Sequence, residues 1–298
     1  MKSLTVFTPT YNRAYCLHKC YESLTRQTSN DFVWLVVDDG STDNTALLVQ
    51  RWIDEGLIEI QYSYKTNGGM HTAHNRAYEL IVTELNVCID SDDFLPDDAV
   101  ELIITKWNSE GTTRFAGLLG LDVDTMGNRI AKKPFPKGLT HCKYQHLKKY
   151  GVIGDIKFVY RTEVIKNYMP YPVFQGENYM SVGYIYSLID LKYDMLCSND
   201  IYCVVEYMAD GISKNKISQY RKYPQGFAHV RKSMMIASFR FKDRYISAMH
   251  YVSSSLFLKN RYFLQQSPRK ILTLSAIPLG LVLHAYILFV NWRNTTKK

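Results

Sequence analysis

Four short apolar or alternating runs, residues 4–9 (LTVFTP), 32–37 (FVWLVV), 58–63 (IEIQYS) and 87–89 (VCI), each stop at polar or turn-forming residues. Runs of this length bounded in this way predict β-strands. Between them apolar residues recur at helical steps, Leu17, Tyr21 and Leu24, then Ala46, Val49, Trp52 and Ile53. Pro96 and Asp97 open a further helix at the first-turn position where proline is tolerated. Strand alternating with helix predicts an α/β fold with a mostly parallel sheet and helices on both faces, whose ligands gather at the carboxyl ends of the strands. The loops at those ends read PTYNR, DDGSTDNT and DSDD, so polar chemistry falls where that geometry requires it.

From about Phe115 to Val205 the pattern is irregular and rich in Tyr, Gly and Pro, as a cleft-forming second half would be. After Pro224, Phe227, Val230, Met234, Ala237, Phe241, Tyr245, Met249, Val252 and Leu256 keep steps of three or four, which predicts one long amphipathic helix. Arg231, Lys232, Arg240, Lys242 and Arg244 fall on its other face, either as a solvated surface or as an attraction to anionic lipid. Residues Ile271 to Trp292 contain no Asp, Glu, Lys or Arg. As a helix they would reach roughly 33 Å, about the thickness of a hydrocarbon core. Basic residues on both sides (Arg269 and Lys270, then Arg293, Lys297 and Lys298) disfavour carrying either end across, and Pro278, Gly280 and His284 interrupt the run. The expectation is a bent, re-entrant or interfacial anchor in preference to a span.

Charge changes this picture. The chain of 298 residues carries a net +8, yet from Gly211 onward there are sixteen basic residues against the single acid Asp243, leaving the first 210 residues net negative. The two parts must face different partners. Because the basic end adjoins an uncharged apolar run, it fits a membrane surface better than a phosphate backbone, and no nucleic-acid partner is expected. At 46% hydrophobic and 21% charged the chain is neither disordered nor fibrous. Its first residues lack a cleavage site, so the body is expected in the cytoplasm. The six cysteines form no CxxC pair and read as reduced thiols.

Asp90-Ser91-Asp92-Asp93 crowds three carboxylates at the end of a buried strand, a set of hard oxygens suited to Mg2+ or Mn2+ completed by substrate phosphates. Helix capping by Asp92 and Asp93 is the plain alternative. At the second strand end, Asp38-Asp39-Gly40-Ser41-Thr42-Asp43 combines an acceptor for an imide N–H with a glycine that admits close backbone approach, or else forms a turn and a helix cap. With Pro9-Thr10-Tyr11-Asn12-Arg13 and Asn67-Gly68-Gly69, four strand ends supply a nucleotide-shaped set.

Taken in order, PTYNR, VVDDGSTDNT, NGG followed by HTAHN, and DSDDFLPDD resemble the family 2 glycosyltransferases of bacteria, which have the GT-A fold. GDIKFVYRTEVIK, PVFQGENY and VVEYMADGIS resemble the acceptor half of the branch that builds capsular and other surface polysaccharides, and the tail with Ile-Pro-Leu-Gly resembles its membrane-associated end. The resemblance implies a nucleotide-sugar half (1–110), an acceptor half (111–215) and a membrane-associating segment (216–298). It implies inverting transfer from a nucleotide diphosphate donor, most often uridine-linked, to a hydroxyl of a lipid-linked oligosaccharide at the cytoplasmic membrane face. Asp39 would hold the base, with Thr8, Pro9, Tyr11 and Arg13 closing over it. Asn67, Gly68, Gly69, His71 and Asn75 would line the diphosphate and sugar. Asp90, Ser91 and Asp92 form the DxD element, with Asp92 and Asp90 on Mn2+ or Mg2+, whose role is that of a Lewis acid. A carboxylate base must face the leaving group, Glu177 before Asp155. Val182 and Met70 stand where the family often has an acid and a base, so a degenerate, non-catalytic subunit is the alternative. A nucleotidyltransferase is disfavoured, because the loop after strand one, TPTYNR, has no glycine.

Overall fold

The computed structural model describes residues 2–207 and 216–295. Within these, residues 2–171 with 192–207 and residues 172–191 with 216–295 form two compact units. The last six residues of VVEYMADGIS, together with Lys297 and Lys298, lie outside the described residues.

The first unit is built on an eight-stranded sheet. Its strands are β1 (Leu4–Thr10), β2 (Phe32–Asp38), β3 (Ile60–Tyr64), β4 (Leu85–Cys88), β5 (Phe115–Asp124), β6 (His141–Cys142), β7 (Ile156–Arg161) and β8 (Asp194–Val205), in the order β3-β2-β1-β4-β7-β5-β8-β6. The first four pair in parallel, as the alternation of strand and helix requires. Every residue of β1 and β2 is buried, which is why β2 is apolar up to its closing Asp38, and Thr5 and Thr8 of β1 bond within the core, to Thr83 and Trp34. β7 then enters antiparallel to both β4 and β5, a reversal that strand-length patterns do not encode.

Around the sheet lie α1 (Leu17–Thr25), α2 (Thr45–Glu55), α3 (Met70–Leu80) and α4 (Ala99–Glu110), with the short α5 (Leu147–Tyr150) and α6 (Thr162–Lys166). Tyr21 of α1 stacks on Trp52 of α2 with ring centroids 4.4 Å apart, and both rings lie over Trp34 of β2, locking two helices to one face. The helix expected at Pro96 begins three residues later, at Ala99. All six cysteines are free thiols.

The second unit is helical: α7 (Tyr184–Ile189), α8 (Lys216–Lys222), α9 (Pro224–Ala237), α10 (Phe241–Phe257), α11 (Lys270–Ser275) and α12 (Ile277–Thr295). The single long helix expected after Pro224 is two. The chain breaks at buried Ser238, whose backbone is extended, and the Arg244 guanidinium donates to the Ser238 carbonyl at 2.6 Å to close the turn. The apolar steps continue across the break because α9 and α10 pack against each other through Ala228, Met235, Ala248 and Tyr251. Arg231, expected on a solvated face, is instead desolvated beside Tyr220 and Tyr179, which lowers its pKa. Gly280 and His284 do not interrupt α12, since a Cβ at Gly280 would lie 2.7 Å from Val252 and His284 packs on Phe257 at 4.2 Å. The bend falls earlier, at Ala276 between α11 and α12. No helix among the described residues is long and apolar enough to cross a membrane.

Where β5 pairs with β7 the two backbones leave no room for a side chain at Gly117. At Gly117, whose φ is +150°, an added Cβ would stand 1.9 Å from the Val159 carbonyl oxygen. Gly117→Ala is therefore expected to lower unfolding stability by about 3 kcal/mol or more, measured by urea denaturation, because strand backbone cannot step aside.

Candidate functional site

The loops at the ends of β1 and β2 are clamped to each other by Asn12. Its side-chain oxygen accepts the backbone N–H groups of Thr42 (2.8 Å) and Asp43 (3.3 Å), while its own N–H donates to Ser41 Oγ at 2.8 Å. Asn12 sits at φ 52°, a left-handed conformation that asparagine tolerates better than most residues. Asp43 caps α2 through Thr45, in place of Ser41 or Thr42, and also accepts Ala14 N–H. Thr8 is fully buried and turns its hydroxyl into the core, where it accepts the Trp34 indole N–H at 3.0 Å. Pro9 is buried in β1, Tyr11 is exposed, and the Arg13 guanidinium pairs with the Tyr15 hydroxyl.

Asp38 and Asp39 divide the work at the end of β2. Asp38 is structural, accepting Ser41 N–H and the Tyr62 hydroxyl, each at 2.7 Å. Asp39 is the hub. Its Oδ1 accepts the Lys65 ammonium at 2.5 Å and Gly68 N–H at 3.0 Å, with Thr72 Oγ1 at 3.4 Å, and its Oδ2 accepts Gly69 N–H at 2.7 Å. The Asn67 side chain donates to the Asp39 carbonyl at 2.9 Å. One buried carboxylate thus fixes the whole NGG loop and the start of α3. The approach is so close that a Cβ at Gly40 would lie 2.6 Å from Asn67 N.

On α3, His71 and His74 are buried, and the Nδ1 atom of each has no hydrogen-bond partner. Burial lowers the pKa of His71, against the pull of Asp39, and brings that of His74 down to about 4. Asn75, expected beside the diphosphate, has both ends of its amide on the Tyr171 backbone at 2.7 and 2.8 Å, so what it positions is that segment.

The three carboxylates after β4 are unlike. Asp90 is exposed, Asp92 half-buried and Asp93 buried. Ser91 is buried too, its carbonyl accepting the Cys16 thiol at 3.5 Å. Asp93 caps no helix: its Oδ1 accepts Glu206 N–H at 3.2 Å and its Oδ2 lies 3.8 Å from the Lys157 ammonium. Burial raises the pKa of Asp93 to about 7 and that of Asp122 to about 6, in both cases against the Lys157 charge. No three metal-ligating side chains converge among the described residues. Asp90 and Asp92 nevertheless fit a hard divalent ion of the Mg2+ or Mn2+ kind, which keeps most of its shell for water and phosphate and needs only one or two carboxylates.

The two candidate bases have different surroundings. Asp155, exposed at the start of β7, accepts one bond from the Tyr207 hydroxyl at 3.3 Å. Glu177, in the second unit, forms no ion pair among the described residues. Its two oxygens accept Gln225 and Gly226 N–H, each at 2.8 Å, at the first turn of α9. Two of about four carboxylate lone pairs are thereby committed to backbone. A separate open cleft, lined by Thr83, Glu84, Trp107, Arg161 and Lys166, lies where β4 begins and holds none of these residues.

Lys65, Thr72, Asp122 and Lys157 escaped the sequence reading, in which Asp93 figures only as a metal-facing carboxylate or a helix cap. Asn12 was visible inside PTYNR. Lys65 and Lys157 carried no signal beyond lying within a few residues of NGG and of Asp155.

Residues 5–163 match the family model described as glycosyl transferase family 2, more than half of the chain. The chain belongs to that family. Chondroitin synthase of Escherichia coli is 30% identical over 128 residues, which are 43% of this chain and 18% of that protein, so the chain spans less than a fifth of that relative. Among solved structures, the 1–349 fragment of Staphylococcus aureus TarS in complex with UDP-GlcNAc superposes with a TM-score of 0.65 at 17% identity, covering 96% of this chain and 91% of the other. The mannosyltransferase PcManGT of Pyrobaculum calidifontis, in complex with GDP-Man and Mn2+, gives a TM-score of 0.54 at 17% identity, covering 95% and 74%. At these identities the likeness is one of fold, and that fold is the GT-A type.

His74 lies among Phe7, Tyr78 and Tyr171 with its nearest ring at 5.1 Å. Its folded pKa is below the ordinary value, so its contribution is complete above about pH 6.5 and is lost as pH falls towards 4. His74→Phe is expected to lose about 3 kcal/mol less stability than the parent between pH 6.5 and 4, measured by urea denaturation at each pH.

Proposed function

We propose that the chain is an inverting glycosyltransferase that moves a sugar from a nucleotide diphosphate, most often uridine-linked, to a hydroxyl of a lipid-linked oligosaccharide in surface polysaccharide synthesis. The observation that carries this reading is the Asp39 network, which ties the strand-end loops of β2 and β3 into one nucleotide-facing rim. Among the described residues Asp39 Oδ2 accepts a single bond, from Gly69 N–H, leaving a lone pair for the imide N–H of uracil. Cytosine presents an acceptor at that ring position and would be repelled. Exposed Tyr11 would close over the base, while the first turn of α3 would face the diphosphate with the N–H groups of Met70 and His71, those of Gly68 and Gly69 being held by Asp39.

Asp90 and Asp92 would hold the divalent ion, which when bound offsets charge building on the departing diphosphate. The Mn2+ in the complex of the mannosyltransferase supports that choice. For the base the surroundings favour Asp155, which is exposed and accepts one hydrogen bond among the described residues, over Glu177, whose two oxygens cap α9. Asp155 would remove the acceptor proton as the sugar carbon takes on oxocarbenium character, giving inversion in one displacement. The second unit would rest on the cytoplasmic membrane surface. Leu281, Val282, Tyr286, Phe289 and Trp292 of α12 are exposed, Arg293 lies in its last turn, and Lys270 opens the preceding α11. The commitment of Glu177 to α9, with Val182 beyond it, is what favours the second reading, a non-catalytic relative that binds nucleotide.

Thermal unfolding with UDP, GDP and CMP, each with and without Mn2+, tests the donor class. UDP with Mn2+ at about a hundred times its dissociation constant should add roughly 2.7 kcal/mol and raise the midpoint by several degrees. Asp92→Ala should abolish the Mn2+-dependent part. A midpoint unmoved by every nucleotide in a folded sample would remove the reading.

A further inference from the structure

Behind the acidic loop sits a charge that this mechanism leaves unused. Lys157 lies on β7 opposite Gly120 of β5, and its side chain is only 13% exposed. Its ammonium is 3.8 Å from Asp93 Oδ2. Asp93 lies next to Asp92, accepts Glu206 N–H just past β8, and takes a backbone bond from its own N–H to the Asp90 carbonyl at 3.0 Å. From β5, Asp122 interacts with the same ammonium; it is 2% exposed, and its Oδ1 has no hydrogen-bond partner. Asp90 is within the field of Lys157 as well.

A buried ammonium among carboxylates is not a stabiliser in itself, since desolvation consumes most of the attraction. Its value is local charge. Asp90, Asp92, Asp93 and Asp122 present up to four negative charges where a diphosphate, itself negative, must approach. A fixed cation beneath them lowers that repulsion and competes with any divalent ion for the same carboxylates.

We propose that Lys157 is a built-in cation of the DSDD loop, a positioning residue that holds Asp93 and sets how strongly Asp90 and Asp92 draw a divalent ion and how readily the loop accepts a diphosphate without one. This rests on the donor reading above. It makes a prediction with two signs. Removing the ammonium should tighten the metal and loosen the metal-free nucleotide, whereas damage to the loop loosens both.

The test is isothermal titration of the full chain at pH 8 with Mn2+ alone and with UDP in EDTA. Lys157→Met should bind Mn2+ about tenfold more tightly and UDP in EDTA about tenfold more weakly, and Lys157→Arg should restore both. Asp122→Asn, which removes a negative charge instead, should shift both affinities the other way and carries the test if Lys157→Met does not fold. Unchanged affinities in folded Lys157→Met, or a parallel loss of both with no opposite response in Asp122→Asn, would overturn the proposal. Absence of UDP and Mn2+ binding in the parent would overturn the donor reading and this inference with it.

Discussion

The carboxylate of Asp39 is the constraint on which the rest of the site depends. Three loops have no regular structure of their own; the buried side chain of Asp39, in the loop after β2, collects the N–H groups of the NGG loop, and Asn12 ties in the third. The charge of Asp39 is offset by Lys65, itself held by the Thr66 carbonyl and Thr72. A buried carboxylate is tolerable only when so satisfied. The satisfaction here is asymmetric: Oδ1 is crowded and Oδ2 is not, so the same group that builds the rim keeps an acceptor for a ligand.

This works because the sheet beneath is rigid. β1 and β2 are buried along their whole length, and the loops leave them at adjacent positions, Thr10 beside Asp38. The parallel order brings β3, β2, β1 and β4 to a common end, so PTYNR, DDGST, NGG and DSDD meet without long connections. Where the sheet reverses, at β7, a lysine reaches under the acidic loop from a strand running the other way. The reversal thereby supplies a charge that a purely parallel sheet would place elsewhere.

Much of this was legible in the chain. Period and length located β1 to β4 to within a few residues, β2 because a strand buried on both faces is written as an apolar run, and the half-exposed edge strand β3 because its residues alternate. The strand-end motifs named Asp39, Asn67, Gly68, Gly69, Asp90 and Asp92, because turn chemistry and ligand chemistry use the same small polar residues. What could not be read were contacts made across sequence distance. Nothing local shows that Asn75 would spend its amide on Tyr171, that Glu177 would cap α9, or that Lys157 would lie near Asp93. The α9 and α10 break was hidden for a related reason: two antiparallel helices bury the same stripe that one long helix would display, and SFR carries no breaker.

The most direct test of the account is release of UDP from UDP-linked sugars supplied with a lipid extract, compared between the parent chain, Asp155→Asn and Glu177→Gln. The account predicts extract-dependent release by the parent with inversion at the anomeric carbon. Asp155→Asn should reduce kcat by about 10²–10⁴-fold with little change in KM for donor, and Glu177→Gln should retain more activity than Asp155→Asn. Binding of UDP without release from any donor would contradict it and identify the chain as a nucleotide-binding relative that performs no transfer.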